Sequence, residues 1–528
     1  MTSRISPLLT DRNQLLAALS RTEQVDMVVI GGGATGLGVA VDAATRGLSV
    51  VLLEANDFAK GTSSRATKLV HGGVRYLAQG NISLVREALH ERTALLRNAP
   101  HLAAPLGFIM PSYKCWETPF YGVGLKAYDA LAGKEGLGPT RFLGARQTKS
   151  LLPGVRPEGL KGGVMYWDGQ FDDARLAVAL ARTAARQSAL VVNYCPVTEL
   201  IYDNNKIAGV QCVDVETSQP FTIRAKCVVN ATGVWVDALR AQDAGHQGKS
   251  SQSLVSPSQG VHLVVDREFL PSEHALLIPK TADGRVLFAV PWLGKVILGT
   301  TDTPRHDLAT EPTAFESEVD FILKEAANYL AKKPTKADVK SVWVGLRPLV
   351  KASSTEGNTK KLSREHTILS SDSGLVTVTG GKWTTYRAMA EDVIAHCEEQ
   401  GVLNTQGKAA TTKFLRLVGA PKGTNWRNLN QPADLAAYGS ESAWVQSLEG
   451  ADTEILPGFT EAMVRFAIRY EYARTVEDIL ARRSRWLFLD ANAAAHAAER
   501  VAQMIQEETK SDPKVTEFIT LCQQYSFC

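Results

Sequence analysis

A chain of 528 residues exceeds what one hydrophobic core organises and implies two or three domains. With 45% hydrophobic and 21% charged residues it packs as a globular protein and is not disordered at large. Lys plus Arg number 58 against 55 Asp plus Glu, and a net charge of +3 is too small to demand a nucleic acid as partner.

The first two dozen residues mix polar and apolar positions and include Asp11 and Glu23. They match neither a signal peptide nor an acid-poor transit peptide, and read as a short leader. From Asp26 the run Met27-Val28-Val29-Ile30 predicts a buried strand. Gly31-Gly32-Gly33-Ala34-Thr35-Gly36 follows, then an apolar-periodic helix to about Arg46, with Gly47 where a helix stops. Ser49 to Leu53 predicts a second strand, ending in Glu54. Strand, glycine turn, helix, strand and acid in that order form the dinucleotide-binding arrangement. The helix N-terminus offers N–H groups to a pyrophosphate, and Glu54 can accept from a ribose hydroxyl. This pattern alone serves FAD and NAD equally.

Gly61 to Leu77 is a polar loop rich in small and basic residues, suited to wrapping a second phosphate and an isoalloxazine ring. Pro111 to Leu131 interleaves Lys114 and Lys126 with Trp116, Phe120, Tyr121, Leu125 and Tyr128. Such a segment covers a core as readily as it enters a membrane interface. Cys227-Val228-Val229-Asn230-Ala231-Thr232-Gly233 predicts another buried strand ending in small residues, and Leu375 to Arg387 repeats the strand, glycine and helix sequence. Three such elements far apart in the chain suggest one sheet assembled discontinuously. Beyond about Gly401, Phe459 to Arg485 and the alanine-rich Asn492 to Met504 read as a separate helical domain, serving packing, oligomer contact or docking. The seven cysteines are scattered and never form CxxC, so neither a disulfide framework nor a metal site is expected, and a reducing compartment fits. No apolar run approaches the roughly twenty residues that span a bilayer.

These segments resemble the FAD-dependent glycerol-3-phosphate dehydrogenases, from about Asp26 to the end of the chain. The strings that carry the resemblance are TKLVHGGVRYL (67–77), WDGQFDDARL (167–176), NATG (230–233), PW followed by LGTTD (291–302), VGLRPL (344–349) and GGKWTTYR (380–387). The resemblance implies an α/β fold. Its FAD-binding doubly wound, Rossmann-like domain would comprise residues 24–75, 150–235 and 354–400. An α+β substrate or cap domain would take 76–149 and 236–353, and a C-terminal α-helical domain 405–528.

For FAD, the resemblance implies contacts from Gly31, Gly33, Gly36 and Glu54. From the wrapping loop it adds Ser63, Ser64, Thr67, Lys68, Leu69, His71, Gly72 and Gly73. Later segments contribute Val197, Ala231, Gly233, Gly381 and Thr384. For the phosphate of sn-glycerol 3-phosphate it implies a cationic pocket of Arg75, Arg347, Arg364 and Lys382, with Tyr76 also at the substrate. Each cation taken singly reads more readily as a solvated surface residue, and the flanking residues reverse that balance for Arg75, Arg347 and Lys382, while Arg364 sits in a plainer polar context. The implied reaction sends the C2 hydrogen as hydride to flavin N5 while a base takes the hydroxyl proton, giving dihydroxyacetone phosphate. His262 matches a family histidine and is the first candidate base, His71 the second; His262 can equally be structural, and His71 reads more readily as structural. Arg347 and Lys382 complete the catalytic set. Lys382 with Thr384 and Thr385 falls where a helix begins, so its N–H groups can favour an anionic reduced flavin, and Thr384 can act as an ordinary N-cap.

The family's usual electron acceptor is a membrane quinone. The resemblance therefore favours peripheral attachment of a cytoplasmic protein to the cytoplasmic membrane, with a homodimer possible. Three alternatives stay open: an oxidase that passes electrons to oxygen, an enzyme of the same fold for an unphosphorylated hydroxyacid or amine, and a non-enzymatic flavin-binding sensor or membrane scaffold.

Overall fold

The computed structural model describes residues 8, 10–73, 81–351, 366–423 and 425–527. The strands Gln24–Ile30, Val50–Leu53, Pro220–Asn230 and Val376–Gly380 carry runs of Val, Ile, Leu and Met that bury on both faces, the signature of a parallel sheet covered by helices. They lie in an eight-stranded sheet whose central order runs His366–Ser370, Val376–Gly380, Pro220–Asn230, Gln24–Ile30, Val50–Leu53, Leu190–Val192. In register, Ile30 sits opposite both Leu53 and Asn230, and Thr377 lies opposite Asn230. The helices Ala34–Thr45, Asp173–Arg186 and Tyr386–Glu399 pack together against it around Leu37, Leu176, Leu180, Met389 and Val393. The discontinuous doubly wound sheet is present as expected.

A second, ten-stranded sheet is built mainly from antiparallel pairs. Val255–Asp266 lies between Lys295–Gly299 and Ser341–Val350, while Ala103–Ser112 pairs along its length with Gly162–Phe171. The division into residues 24–75 and 150–235 therefore cuts across the sheets. Leu69–Val70 and Gly162–Phe171 belong to the second sheet, because each finds its hydrogen-bond partner there. The leader is also more than an extension: Arg12–Arg21 is a helix, and buried Arg12 donates to Asn193 O at 2.6 Å and to Asp214.

The C-terminal region, whose helices include Glu461–Tyr470, Ala491–Thr509 and Val515–Tyr525, docks on the nucleotide-binding half through buried ion pairs. Arg175 forms a two-pronged contact with Glu471 at 2.8 and 2.9 Å, and Arg182 does the same with Glu441 at 2.7 and 2.8 Å. Asp57, three residues past the nucleotide-binding acid, takes hydrogen bonds from both Arg482 and Arg483 and is fully buried with them. Packing is thus a role that Glu441, Glu471, Arg482 and Arg483 of the C-terminal region fill.

Removing one member of a buried ionic cluster strands the others without water, a loss of about 3–5 kcal/mol. Asp57→Asn is expected to destabilise the chain by about that much in chemical denaturation. Asp372→Asn, which breaks a solvent-exposed pair with Lys249, is expected to leave the transition in place. Equal midpoints for the two variants would show that the Asp57 cluster contributes nothing.

Candidate active site

The turn after the first strand is built by close approach. Gly31 has φ +111°, its N–H donates to Leu53 O at 2.9 Å, and a Cβ there would stand 2.6 Å from Ala231 O. A Cβ on Gly36 would come within 2.0 Å of Gly31 O, so only glycine lets the helix Ala34–Thr45 start beneath the turn. That helix has no side-chain cap at Gly33, and Ala34 N–H points at Ser63 Oγ, 2.9 Å away. Bare amides at a helix N-terminus with a hydroxyl beside them suit a pyrophosphate. Glu54 accepts from Gly32 N–H at 2.6 Å and Asn56 N–H at 2.8 Å, which shapes the turn. Each carboxylate oxygen keeps a lone pair for a ribose hydroxyl. Burial pushes the Glu54 carboxyl up, partly opposed by those N–H bonds. Val197 follows Cys195, whose N–H donates to Glu54 O at 2.8 Å, so it flanks the same acid. Gly233, at φ +64°, lies past Ala231 and accepts from Thr379 Oγ1 at 3.1 Å. The cradle fits an FAD pyrophosphate and ribose.

The wrapping loop is anchored from several sides. Trp383 Nε1 donates to Ser63 O at 2.8 Å, and Thr62 Oγ1 donates to Leu346 O at 2.6 Å. Two residues expected at the cofactor have another task. Lys68 is fully buried, and its ammonium donates to Ser64 O at 2.7 Å and Asp173 Oδ2 at 2.8 Å under the rings of Trp292, Trp343 and Phe488. Desolvation draws that ammonium down to about 7, against the pull of Asp173. Gly72 donates its N–H to Asp168 Oδ1 at 3.2 Å, and a Cβ on it would lie 2.2 Å from Tyr128 Oη, so it serves close packing. Leu69 is committed to the strand Leu69–Val70, and His71 and Gly73 continue from it.

His262 and Arg347 share one face of the second sheet. Cross-strand pairing sets His262 opposite Trp343, Gly260 opposite Gly345, and Ser258 opposite Arg347. Residues two apart on a strand point the same way, so these six form a strip whose middle is bare glycine. Arg65 O covers Gly345, where a Cβ would be 2.6 Å away, and Arg347 Nη2 covers Gly260 at 2.3 Å from its Cβ position. The imidazole of His262 stacks on Trp343 with ring centres 5.2 Å apart and meets Thr67 Oγ1 at 2.9 Å through Nε2. It is 2% exposed, and desolvation, with Lys68 and Arg347 adding repulsion, holds its pKa well below the ordinary histidine value. Arg347 donates to Asp302 Oδ1 at 3.2 Å and Thr301 O at 3.0 Å, which fixes the plane of its guanidinium.

Lys382 and Gly381, with φ +69° at the glycine, line a cavity of about 190 Å³ together with Ser83, Leu84, Glu87, His366 and Thr385. The expected N-cap at Thr384 is absent. Trp383–Thr385 is a single 3₁₀ turn leading into the helix Tyr386–Glu399, and neither it nor the helix has a side-chain cap. Thr384 is instead buried inside that turn. Arg75, Tyr76 and Arg364 lie outside the described residues. Sequence reasoning missed Asp173, Asp302 and Arg485 as parts of the site's frame; the first two stood inside the distinctive strings, but their partners are remote in sequence.

The family described as FAD dependent oxidoreductase matches residues 26–387, and the C-terminal domain of alpha-glycerophosphate oxidase matches residues 410–516. The mitochondrial glycerol-3-phosphate dehydrogenase of Schizosaccharomyces pombe is 39% identical over 96% of this chain and 87% of its own. The human mitochondrial enzyme is 40% identical over 95% of this chain and 73% of its own. The solved glycerol-3-phosphate dehydrogenase of Bacillus halodurans, complexed with FAD, superposes with a TM-score of 0.75 at 31% identity, covering 97% of this chain and 96% of that one. The FAD-bound L-alpha-glycerophosphate oxidase of Mycoplasma pneumoniae shares the fold, with a TM-score of 0.56 at 18% identity over 70% of this chain and 94% of that one.

Gly36→Ala places a methyl group on Gly31 O and is expected to lower the flavin retained per purified chain by about tenfold or more, since about 1.4 kcal/mol of lost affinity suffices. Visible absorbance at full occupancy in this variant would mean that the cradle is not where the cofactor sits.

Proposed function

The chain belongs to the FAD-dependent glycerol-3-phosphate dehydrogenase family, and we propose that it oxidises the secondary alcohol of sn-glycerol 3-phosphate to dihydroxyacetone phosphate, passing the electrons to a membrane quinone. The observation that carries this reading is the strip joining a buried histidine, paired glycines and an oriented guanidinium beside the wrapping loop. FAD, when bound, supplies the hydride acceptor. His262 takes the hydroxyl proton, so that the C2 hydrogen leaves with its electron pair and the C–O single bond becomes a ketone. A neutral imidazole out of bulk water holds that proton-accepting form over a wide pH range. Arg347 supplies charge-assisted bonds to the phosphate in a geometry set by Asp302 and Thr301 O, and Lys382 adds a second cation from its cavity.

Peripheral membrane attachment is supported by the segment read as interfacial. The helix Glu117–Ala132 and the residues around it expose Trp116, Phe120, Val123 and Phe142, at 54%, 66%, 70% and 47%. Lys114 lies over Trp116 and Lys126 over Phe142, pairing cations with aromatics as a headgroup boundary favours. No helix of the described residues is long and apolar enough to cross a membrane.

Anaerobic mixing with sn-glycerol 3-phosphate is expected to bleach the oxidised flavin, with reoxidation faster by a quinone analogue than by oxygen. Faster reoxidation by oxygen would replace the dehydrogenase with an oxidase, and no bleaching would remove the substrate. Because the His262 pKa is depressed, the neutral base persists as pH falls, and the bleaching rate is expected to hold below the ordinary histidine value of about 6.5. An acid limb at or above that value would exclude His262 as the base. Phe120→Ser with Val123→Ser is expected to abolish co-sedimentation with anionic lipid vesicles while bleaching in solution continues; undiminished sedimentation would move the membrane contact elsewhere.

A further inference from the structure

Arg485 comes from the C-terminal helical region, yet it is 1% exposed and reaches the wrapping loop. Its Nη2 donates to Ser64 O at 2.9 Å and to Asp173 Oδ1 at 3.1 Å, and its Nη1 donates to Ala481 O at 2.9 Å in its own segment. Asp173 spends its other oxygen on the loop, accepting from Lys68 Nζ at 2.8 Å and from Ala66 N–H at 3.1 Å. Ser64 O receives Lys68 Nζ as well, at 2.7 Å. The stretch Ser64 to Lys68 is therefore tied at both ends and in the middle to one carboxylate and one guanidinium. Thr67 stands inside that tied stretch, and its hydroxyl meets His262.

Two backbone features fit a stretch held under constraint. Lys68 has φ +65° and Arg485 φ +71°, both non-glycine residues in the left-handed region, which persist when the surroundings over-determine them. The guanidinium of Arg485 also lies 4.3 Å from the ring centre of Phe488, and Phe488 packs edge-on against Trp343, the ring beneath His262. Arg485 thus supports His262 from two sides, through Thr67 and through Trp343. The imidazole meets Thr67 and Trp343, lies against Gly299 of the neighbouring strand, and is within the electrostatic reach of Lys68 and Arg347.

We infer that Arg485 is a positioning residue for the oxidation, through which the C-terminal helical region sets the shape of the flavin-wrapping loop and the aim of His262. This rests on the FAD-dependent reading above, in which Ser63, Ser64 and Thr67 lie against the flavin. Its consequence is that the C-terminal region completes the catalytic site without touching substrate.

The test uses full-length holoenzyme carrying Arg485→Met, Arg485→Lys or Asp173→Asn. Arg485→Met is expected to change the visible circular dichroism of the bound flavin, to speed flavin release, and to slow anaerobic bleaching at saturating sn-glycerol 3-phosphate by about tenfold to a hundredfold, the scale of a small misplacement of a catalytic group. The substrate concentration for half-maximal rate is expected to stay within a few-fold, because Arg347 and Lys382 are untouched. Arg485→Lys is expected to recover part of the rate, and Asp173→Asn to reproduce the loss from the opposite side of the contact. A melting temperature lowered with an unchanged flavin spectrum and unchanged bleaching rate would overturn the inference and leave Arg485 a packing residue. Should Arg485→Met not yield folded holoenzyme, the other two variants decide in the same way. The dichroism and release of the flavin require no substrate, so a wild-type protein that binds flavin but is not bleached by sn-glycerol 3-phosphate would defeat the substrate reading while leaving this inference open to measurement.

Discussion

Because Ile30, Leu53 and Asn230 lie in one row across the parallel sheet, the turns that follow them open at one edge. Gly31, Glu54 and Ala231 meet there, and Gly31 comes so near Ala231 O that no side chain fits between. Parallel pairing makes this possible: the strands run the same way, so their carboxyl ends lie together at one edge and each is free to contribute a loop there. The wrapping loop, the helix N-terminus at Gly33 and the turn at Gly381 all take their positions from that alignment.

The second sheet contributes chemistry of a different kind. Its antiparallel pairing puts His262, Gly260 and Ser258 on the same side as Trp343, Gly345 and Arg347; Gly345 lets the loop approach the strip at Arg65 O, and Gly260 leaves room for the Arg347 guanidinium. Lost hydration and the nearby cations Lys68 and Arg347 push the pKa of a histidine so enclosed well below its ordinary value. The same enclosure would be costly for Lys68 were it not for Asp173, Ser64 O and three aromatic rings around it.

Buried charge recurs where the C-terminal helices meet the rest. Asp57, Asp173 and Glu471 each hold arginines away from water, and each pairs residues hundreds of positions apart. Such clusters add little stability over well-packed apolar groups, but they penalise misdocking severely, because a displaced partner leaves an unpaired charge. An orientation chosen this way also brings Arg485 to Ser64 O in the wrapping loop.

The nucleotide-binding half was legible in the sequence because its determinants are local. Strand, glycine turn, helix, strand and acid occupy one stretch from Gln24 to Glu54, and hydrophobic periodicity with glycine positions specifies them. The strings around Arg347 and Lys382, and the family histidine matched at His262, marked candidate chemistry by resemblance, and the fold sets the His262 ring against Thr67 of the wrapping loop. Only the tertiary structure decided the rest. Gly162–Phe171 joined the second sheet because its partner strand, Ala103–Ser112, lies some fifty residues upstream, and hydrogen-bond pairing at that separation leaves no periodic trace. Lys68 looked like a cofactor ligand in a basic, glycine-rich loop, yet its ammonium turned inward to Asp173. Arg485 stood in an ordinary helical stretch until folding carried it to Ser64. Local propensity and spacing are written along the chain, whereas the partner of a buried charge is chosen by which distant segment the fold brings within reach.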